Sequence, residues 1–252
     1  MHPTLTIALR AAHAAAEKLI YTREHWGRLV EEAGTDASVD QLVTGASRRI
    51  HNTLRKSHPD QIFECTREGR YEPEKRQADV SWHAEVLLGE NNFRHGLAEC
   101  GVMVSQWQKG RIEHLTLVFP FLSLEVVASR GRGIQVSGRR VRTGKADRLP
   151  GVLLGSHPAV GDACFRLVTA GADLRVSGCA LLDLTRVAAG QLDLAVHGRV
   201  AAGELAAAQL MATESGAVTG DLSGAPLDSR TQSVVCANPR LFKAAVSALR
   251  QT

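Results

Sequence analysis

The side chains most able to do chemistry are scattered along this chain rather than grouped. There are ten histidines and five cysteines, but no HxxxH, CxxC or mixed Cys/His cluster has the spacing that holds zinc. His83 and His95 therefore read as isolated imidazoles, at the surface or hydrogen-bonded. Cys65, Cys100, Cys164, Cys179 and Cys236 are odd in number and far apart, the habit of buried free thiols in a reducing compartment. The Arg130-Gly131-Arg132-Gly133 string is no phosphate cradle, because it fits neither G-x-G-x-x-G nor G-x-x-x-x-G-K-(S/T) and sits between strands. No Ser/His/Asp or Cys/His nucleophile arrangement rises above chance. The same arginines, with Arg139, Arg140, Arg142 and Lys145, could form a strip for RNA phosphates. No aromatic residues interleave with them, so a solvated basic face is the first reading.

Composition narrows the class. The 252 residues are 44% hydrophobic, 22% charged and only 4% aromatic, with a net charge of +4. That is ample for a globular core packed by aliphatic side chains and alanine, and too mild a charge to demand an anionic partner. Arg10, His13, Glu17 and Lys18 interrupt the first twenty residues, so no export signal is expected. The longest apolar stretch, 115–128, contains Pro120 and Glu125 and is too interrupted to span a bilayer. A soluble cytoplasmic protein is expected.

The periodicity then gives the elements that must hold these residues. Leu5, Leu9, Ala12, Ala16 and Leu19 predict one helix over about 3–30. A second stripe, Leu42, Ala46, Ile50 and Leu54, ends at Ser57-His58-Pro59. Strand alternation at Val80, Trp82, Ala84 and Val86 comes after a charged loop over 66–79. Two further strands meet at a tight turn, Gln108-Lys109-Gly110-Arg111, and another pair flanks the Arg-Gly repeat. From Pro150 strand and helix alternate: strands at 152–154, 192–196 and 234–235, and helices at 163–169, 179–189, 201–212 and 239–249. This predicts an α+β subdomain with an antiparallel sheet over 1–145 and an α/β subdomain over 146–252, packed as one unit.

Strings spread over almost the whole chain give a resemblance. Arg55-Lys56-Ser57-His58-Pro59, Asn92-Phe93, Ser129-Arg130-Gly131-Arg132-Gly133, Ser177-Gly178-Cys179-Ala180-Leu181-Leu182-Asp183 and Ala237-Asn238-Pro239-Arg240 fall in the order and spacing of the inositol monophosphatase family. The chain resembles that family from about residue 1 to 250. The resemblance implies a layered α-β-α-β-α sandwich, a homodimer, and magnesium-dependent hydrolysis of phosphate monoesters, for which carboxylates hold the metal.

Its carboxylate positions do not carry over. The family's paired glutamates fall on Thr66 and Arg67. The D-P-(I/L)-D-G-T-x-N-F motif falls on Glu85-Val86-Leu87-Leu88-Gly89-Glu90-Asn91-Asn92-Phe93, so Leu88 replaces the second aspartate and Glu90 the threonine. The aspartate of W-D-x-A-A-G is Arg199, and that of T-x-x-D is Ser47. Losses in four motifs, five positions with two charge reversals among them, predict an inactive pseudoenzyme acting by binding, because phosphoryl transfer depends on positioning and charge neutralisation. No cofactor is expected. The alternative is a residual phosphomonoesterase that holds magnesium weakly through Glu85 and Glu90, with Glu64 or Glu68. The bland reading has Glu85 and Glu90 solvated or paired with Arg67 or Arg199; a third has these two arginines trapping an anion. Family members similar in the opening and in the Arg175 to Asp183 region serve ribosomal RNA transcription, which implies a protein partner such as NusA at Arg175, Gly178 and Cys179. Arg175 matches the first of two family arginines there; the second is Val176. Phe119, Leu122 and Leu124 replace polar family positions, so their segment either fills the core or offers an apolar contact face.

Overall fold

Pro3 in the first turn and His2, whose Nδ1 accepts from the Thr4 amide at 3.3 Å, start helix α1 (Pro3–Glu24). The computed structural model describes residues 2–75, 79–228 and 230–250. The single helix expected over 3–30 is two. At His25 the backbone leaves the helical region and the ring Nδ1 pairs with the Tyr21 carbonyl at 2.8 Å, and α2 (Trp26–Ala33) restarts there, succeeded by α3 (Thr35–Leu54). Alanines 8, 11, 12, 15 and 16 form the buried face of α1, small enough to bring its backbone close to its neighbours.

Strands β1 (Ile62–Cys65), β2 (Gly69–Tyr71) and β3 (Val80–Leu88) come next. The expected loop over 66–79 thus contains a short strand paired antiparallel to β1; its residues 76–78 lie outside the described residues. Helix α4 (Glu90–Arg94), then β4 (Gly101–Gln108), β5 (Arg111–Phe119) and β6 (Leu124–Ser129), complete the first half. The strands lie in the order β2-β1-β3-β4-β5-β6. The turn between β4 and β5 is the expected one. Lys109 and Gly110 have φ of 49° and 75°, the two left-handed residues that match the twist of a tight hairpin. Alternation along β3 sends Trp82, Ala84 and Val86 into one core with α1 and α3.

Phe119 is fully buried and Phe121 packs against that core, so this segment adds packing, with Leu122 and Leu124 half-exposed. Arg23 lies over the Phe93 and Phe121 rings, at 4.5 and 4.3 Å from their centroids.

The chain divides into two units, Met1–Val127 and Ala128–Thr252, earlier than the 145/146 joint expected from composition. In the second unit β7 (Gly133–Val136) and β8 (Arg139–Arg140) form a hairpin. Next come β9 (Leu153–Ser156), α5 (Asp162–Thr169), β10 (Asp173–Arg175), α6 (Ala180–Ala188), β11 (Leu194–Gly198), α7 (Ala202–Ser215), β12 (Val218–Gly220), β13 (Ser233–Ala237) and α8 (Pro239–Arg250). The sheet order is β10-β9-β11-β13-β12, with β10, β9 and β11 parallel and β13 antiparallel to its neighbours. Asp183, fully buried on α6, is tied to His197 of β11 at 3.1 Å. Asn238 caps α8, its Oδ1 accepting from Arg240 and Leu241. All five cysteines are free. Burial pushes the Cys100 thiol up to about 11 and Cys236 up to about 12.

Candidate functional site

The backbone around residues 85–93 has a geometry that ordinary strand chemistry would avoid. The β3–β4 register shifts between Val86 and Leu88, and the extra residue, Leu87, sits at φ 71°. A left-handed non-glycine residue costs about 1–2 kcal/mol, and such a bulge re-aims the neighbouring side chains of its strand. Here it places Leu88 in the buried interior. Gly89 completes the turn at φ 68°, where a Cβ would lie 2.4 Å from the Glu99 carbonyl. Asn92 donates to that same carbonyl at 2.8 Å, and Phe93 packs edge-on against Trp26. The Asn-Phe end of the motif thus serves packing.

The carboxylates that remain are occupied from within the chain. Glu90 Oε2 accepts from Arg67 Nη1 at 2.8 Å, and Glu90 Oε1 from Arg94 Nη2 at 2.6 Å. Each arginine reaches a second acid: Arg67 to Asp40 at 2.5 Å and Arg94 to Asp36 at 2.8 Å. The result is an alternating row, Asp40, Arg67, Glu90, Arg94, Asp36, joining α3, the end of β1 and α4. Glu85 stands apart from this row. Thr66 Oγ1 donates to it at 2.7 Å, and burial raises its carboxyl above the ordinary range, the Thr66 hydrogen bond opposing. Glu68 accepts from Thr44 at 2.6 Å, and Glu64 lies 3.9 Å from Arg70. Ser47 is buried on α3.

The structure therefore gathers Thr66, Arg67, Glu85 and Glu90, and the pairing of Glu90 with Arg67 is the one the bland reading named. Asp36, Asp40 and Arg94 were not singled out from the sequence; the only available hint was Arg94 four residues after Glu90 on one helix. Arg67, engaged by two carboxylates, would have to release one to hold an anion. Arg199 belongs to the second unit, exposed and at φ 57° ahead of α7. Arg175 lies on the edge strand β10, donating to the Leu174 carbonyl at 2.8 Å. Gly178, at φ 72°, precedes Cys179, the buried residue at the start of α6.

A magnesium ion needs several hard oxygen donors converging on one point. At the positions that the resemblance assigns to metal-holding carboxylates the chain has Thr66, Arg67, Leu88, Ser47 and Arg199, and Glu90 is shared by two guanidiniums. The residues present do not fit the ion. Among the described residues no group of three or more His, Cys, Asp or Glu side chains is placed to hold a metal.

The family model for the inositol monophosphatase family matches residues 1–252. The chain belongs to the inositol monophosphatase family. Similar relatives are named Nus factor SuhB. The protein of that name from Pseudomonas aeruginosa is 32% identical over 262 residues, covering 99% of this chain and 97% of the relative. That from Escherichia coli is 30% identical over 260 residues, with the same coverage. Among solved structures, the extragenic suppressor protein suhB of Bartonella henselae superposes with a TM-score of 0.87 at 23% identity, covering 99% of this chain and 100% of that one. The Thermotoga maritima IMPase gives 0.83 at 22%, covering 98% and 97%. The layered α/β fold is thus that of inositol monophosphatases. Among the described residues no helix is long and apolar enough to cross a membrane.

Proposed function

We propose that this chain is a member of the inositol monophosphatase family without phosphatase activity that works by binding in the cytoplasm, as a SuhB-like factor of the transcription machinery. The observation that carries the reading is the placement of Glu90 between Arg67 and Arg94. Metal-assisted phosphoryl transfer requires a cation that can polarise the phosphoryl oxygens and activate water. A guanidinium neutralises a carboxylate without offering a site at which water can be activated. The relatives named Nus factor SuhB support a partner in transcription, and the resemblance points to NusA and to a homodimer.

The test is phosphate release from inositol 1-phosphate at saturating magnesium, beside an active family member. No release above the buffer blank is expected, and turnover near that of the active enzyme overturns the reading. Binding is tested by co-sedimentation with NusA, where Arg175→Glu should weaken the complex and unchanged binding would rule out that surface. One observation favours the alternative phosphomonoesterase: among the described residues no arginine or lysine pairs with Glu85. Metal-dependent turnover that disappears in Glu85→Ala would establish it.

A further inference from the structure

The alternation that sends Trp82 and Ala84 into the core sets Ser81 and His83 together on the opposite face of β3. Ser81 Oγ lies 2.9 Å from His83 Nε2, a nucleophile and a base within hydrogen-bond reach. Both line a cavity of about 540 Å³ whose wall also includes Glu64, Arg70, Trp107 and Lys109, a volume in the small-molecule range. Trp107 fixes one side: its Nε1 donates to Ser105 at 2.9 Å and its ring lies 5.0 Å from the His83 ring.

Glu64 is the partner of His83 across the parallel β1–β3 pair. Its charge favours the imidazolium that forms when His83 takes a proton. Arg70 is engaged by Glu72 at 2.7 Å and lies 3.9 Å from Glu64. Lys109, with no acidic partner among the described residues, is the cation left to face a developing oxyanion.

We propose that this cavity is a serine acyl-transfer site for small carboxylic esters, separate from the family's phosphatase positions. Ser81 Oγ attacks the ester carbonyl carbon while its proton passes to His83 Nε2. The carbon–oxygen bond to the alcohol breaks, His83 returns the proton to the leaving alkoxide, and acyl-Ser81 remains. Water then adds to the acyl carbon, giving its proton to His83. The Ser81 oxygen departs with that proton, and the carboxylic acid is released. Glu64 acts as a positioning residue.

The experiment treats the full chain with p-nitrophenyl acetate in a stopped-flow instrument and, separately, with a fluorophosphonate whose adduct is located by peptide mass spectrometry. The expected result is a nitrophenolate burst of one equivalent per chain and an adduct on Ser81. Both vanish in Ser81→Ala, and the burst rate falls by about 100-fold or more in His83→Gln. Glu64→Gln slows the burst and Glu64→Asp restores it. Nitrophenolate release that is unchanged in Ser81→Ala, an adduct on any other residue, or no adduct at all overturns the proposal.

Discussion

Glu90 and Glu85, five residues apart, meet different environments, and their variants should differ accordingly. Arg94, with 23% of its side chain exposed, bonds Glu90 and Asp36; Arg67, at 39%, bonds Glu90 and Asp40. Exposed ion pairs are screened by water and contribute little, whereas a sheltered charge-assisted pair contributes more. Arg94→Met should therefore cost about 1–2 kcal/mol in urea denaturation and Arg67→Met less than about 1. For Glu85 the sign comes from its raised carboxyl. The proton is bound more tightly in the folded state, so the stability it confers is full below the ordinary value of 4.5 and is lost as pH rises through the raised one. Glu85→Gln, which still accepts from Thr66, should melt above the parent at neutral pH. The difference should vanish in acid, as thermal melting across pH would record.

At the scale of elements, the Arg-Gly string is held by an anion of the protein's own. Glu214, buried near the end of α7, accepts from the Gly131 amide at 2.7 Å and from the Gly133 amide at 2.6 Å, while its carbonyl accepts from Arg142 at 2.6 Å. A loop that presents two glycine amides to an anion is thus closed by a carboxylate of the same unit. Glu214→Gln puts an amide donor against one of those N–H groups and should cost about 1–3 kcal/mol in chemical denaturation, reflecting a buried donor left unpaired. The bulge at Leu87 and the turn at Gly89 show the same economy. The strained backbone positions an apolar side chain, Leu88, and the start of α4.

For the whole molecule, the cations that neutralise Glu90, Asp36 and Asp40 belong to the chain. Ligands that bind only the native state raise apparent stability by mass action. The melting temperature is therefore expected to be the same in millimolar magnesium and in excess chelator, measured by differential scanning calorimetry. A rise with magnesium would mean that Glu85 gathers a metal despite the arginines around Glu90.

The amino-acid sequence by itself determined the longer helices and strands of both units, the Lys109-Gly110 hairpin and the family, because each rests on local periodicity or on residue type. It missed β2, α4, β8, β10 and β12, which are too short to show a period, and the break at His25, where the ring reaches back to the Tyr21 carbonyl. Only the tertiary structure decided what pairs with Glu90 and its arginines. Arg67 meets Asp40 across 27 positions and Arg94 meets Asp36 across 58, and separations of that kind leave no periodic trace. The pairing of Ser81 with His83 lies between the two cases. Strand alternation puts them on one face, but the cavity that gives the pair a use is formed by β1, β2 and the β4–β5 turn folding around it.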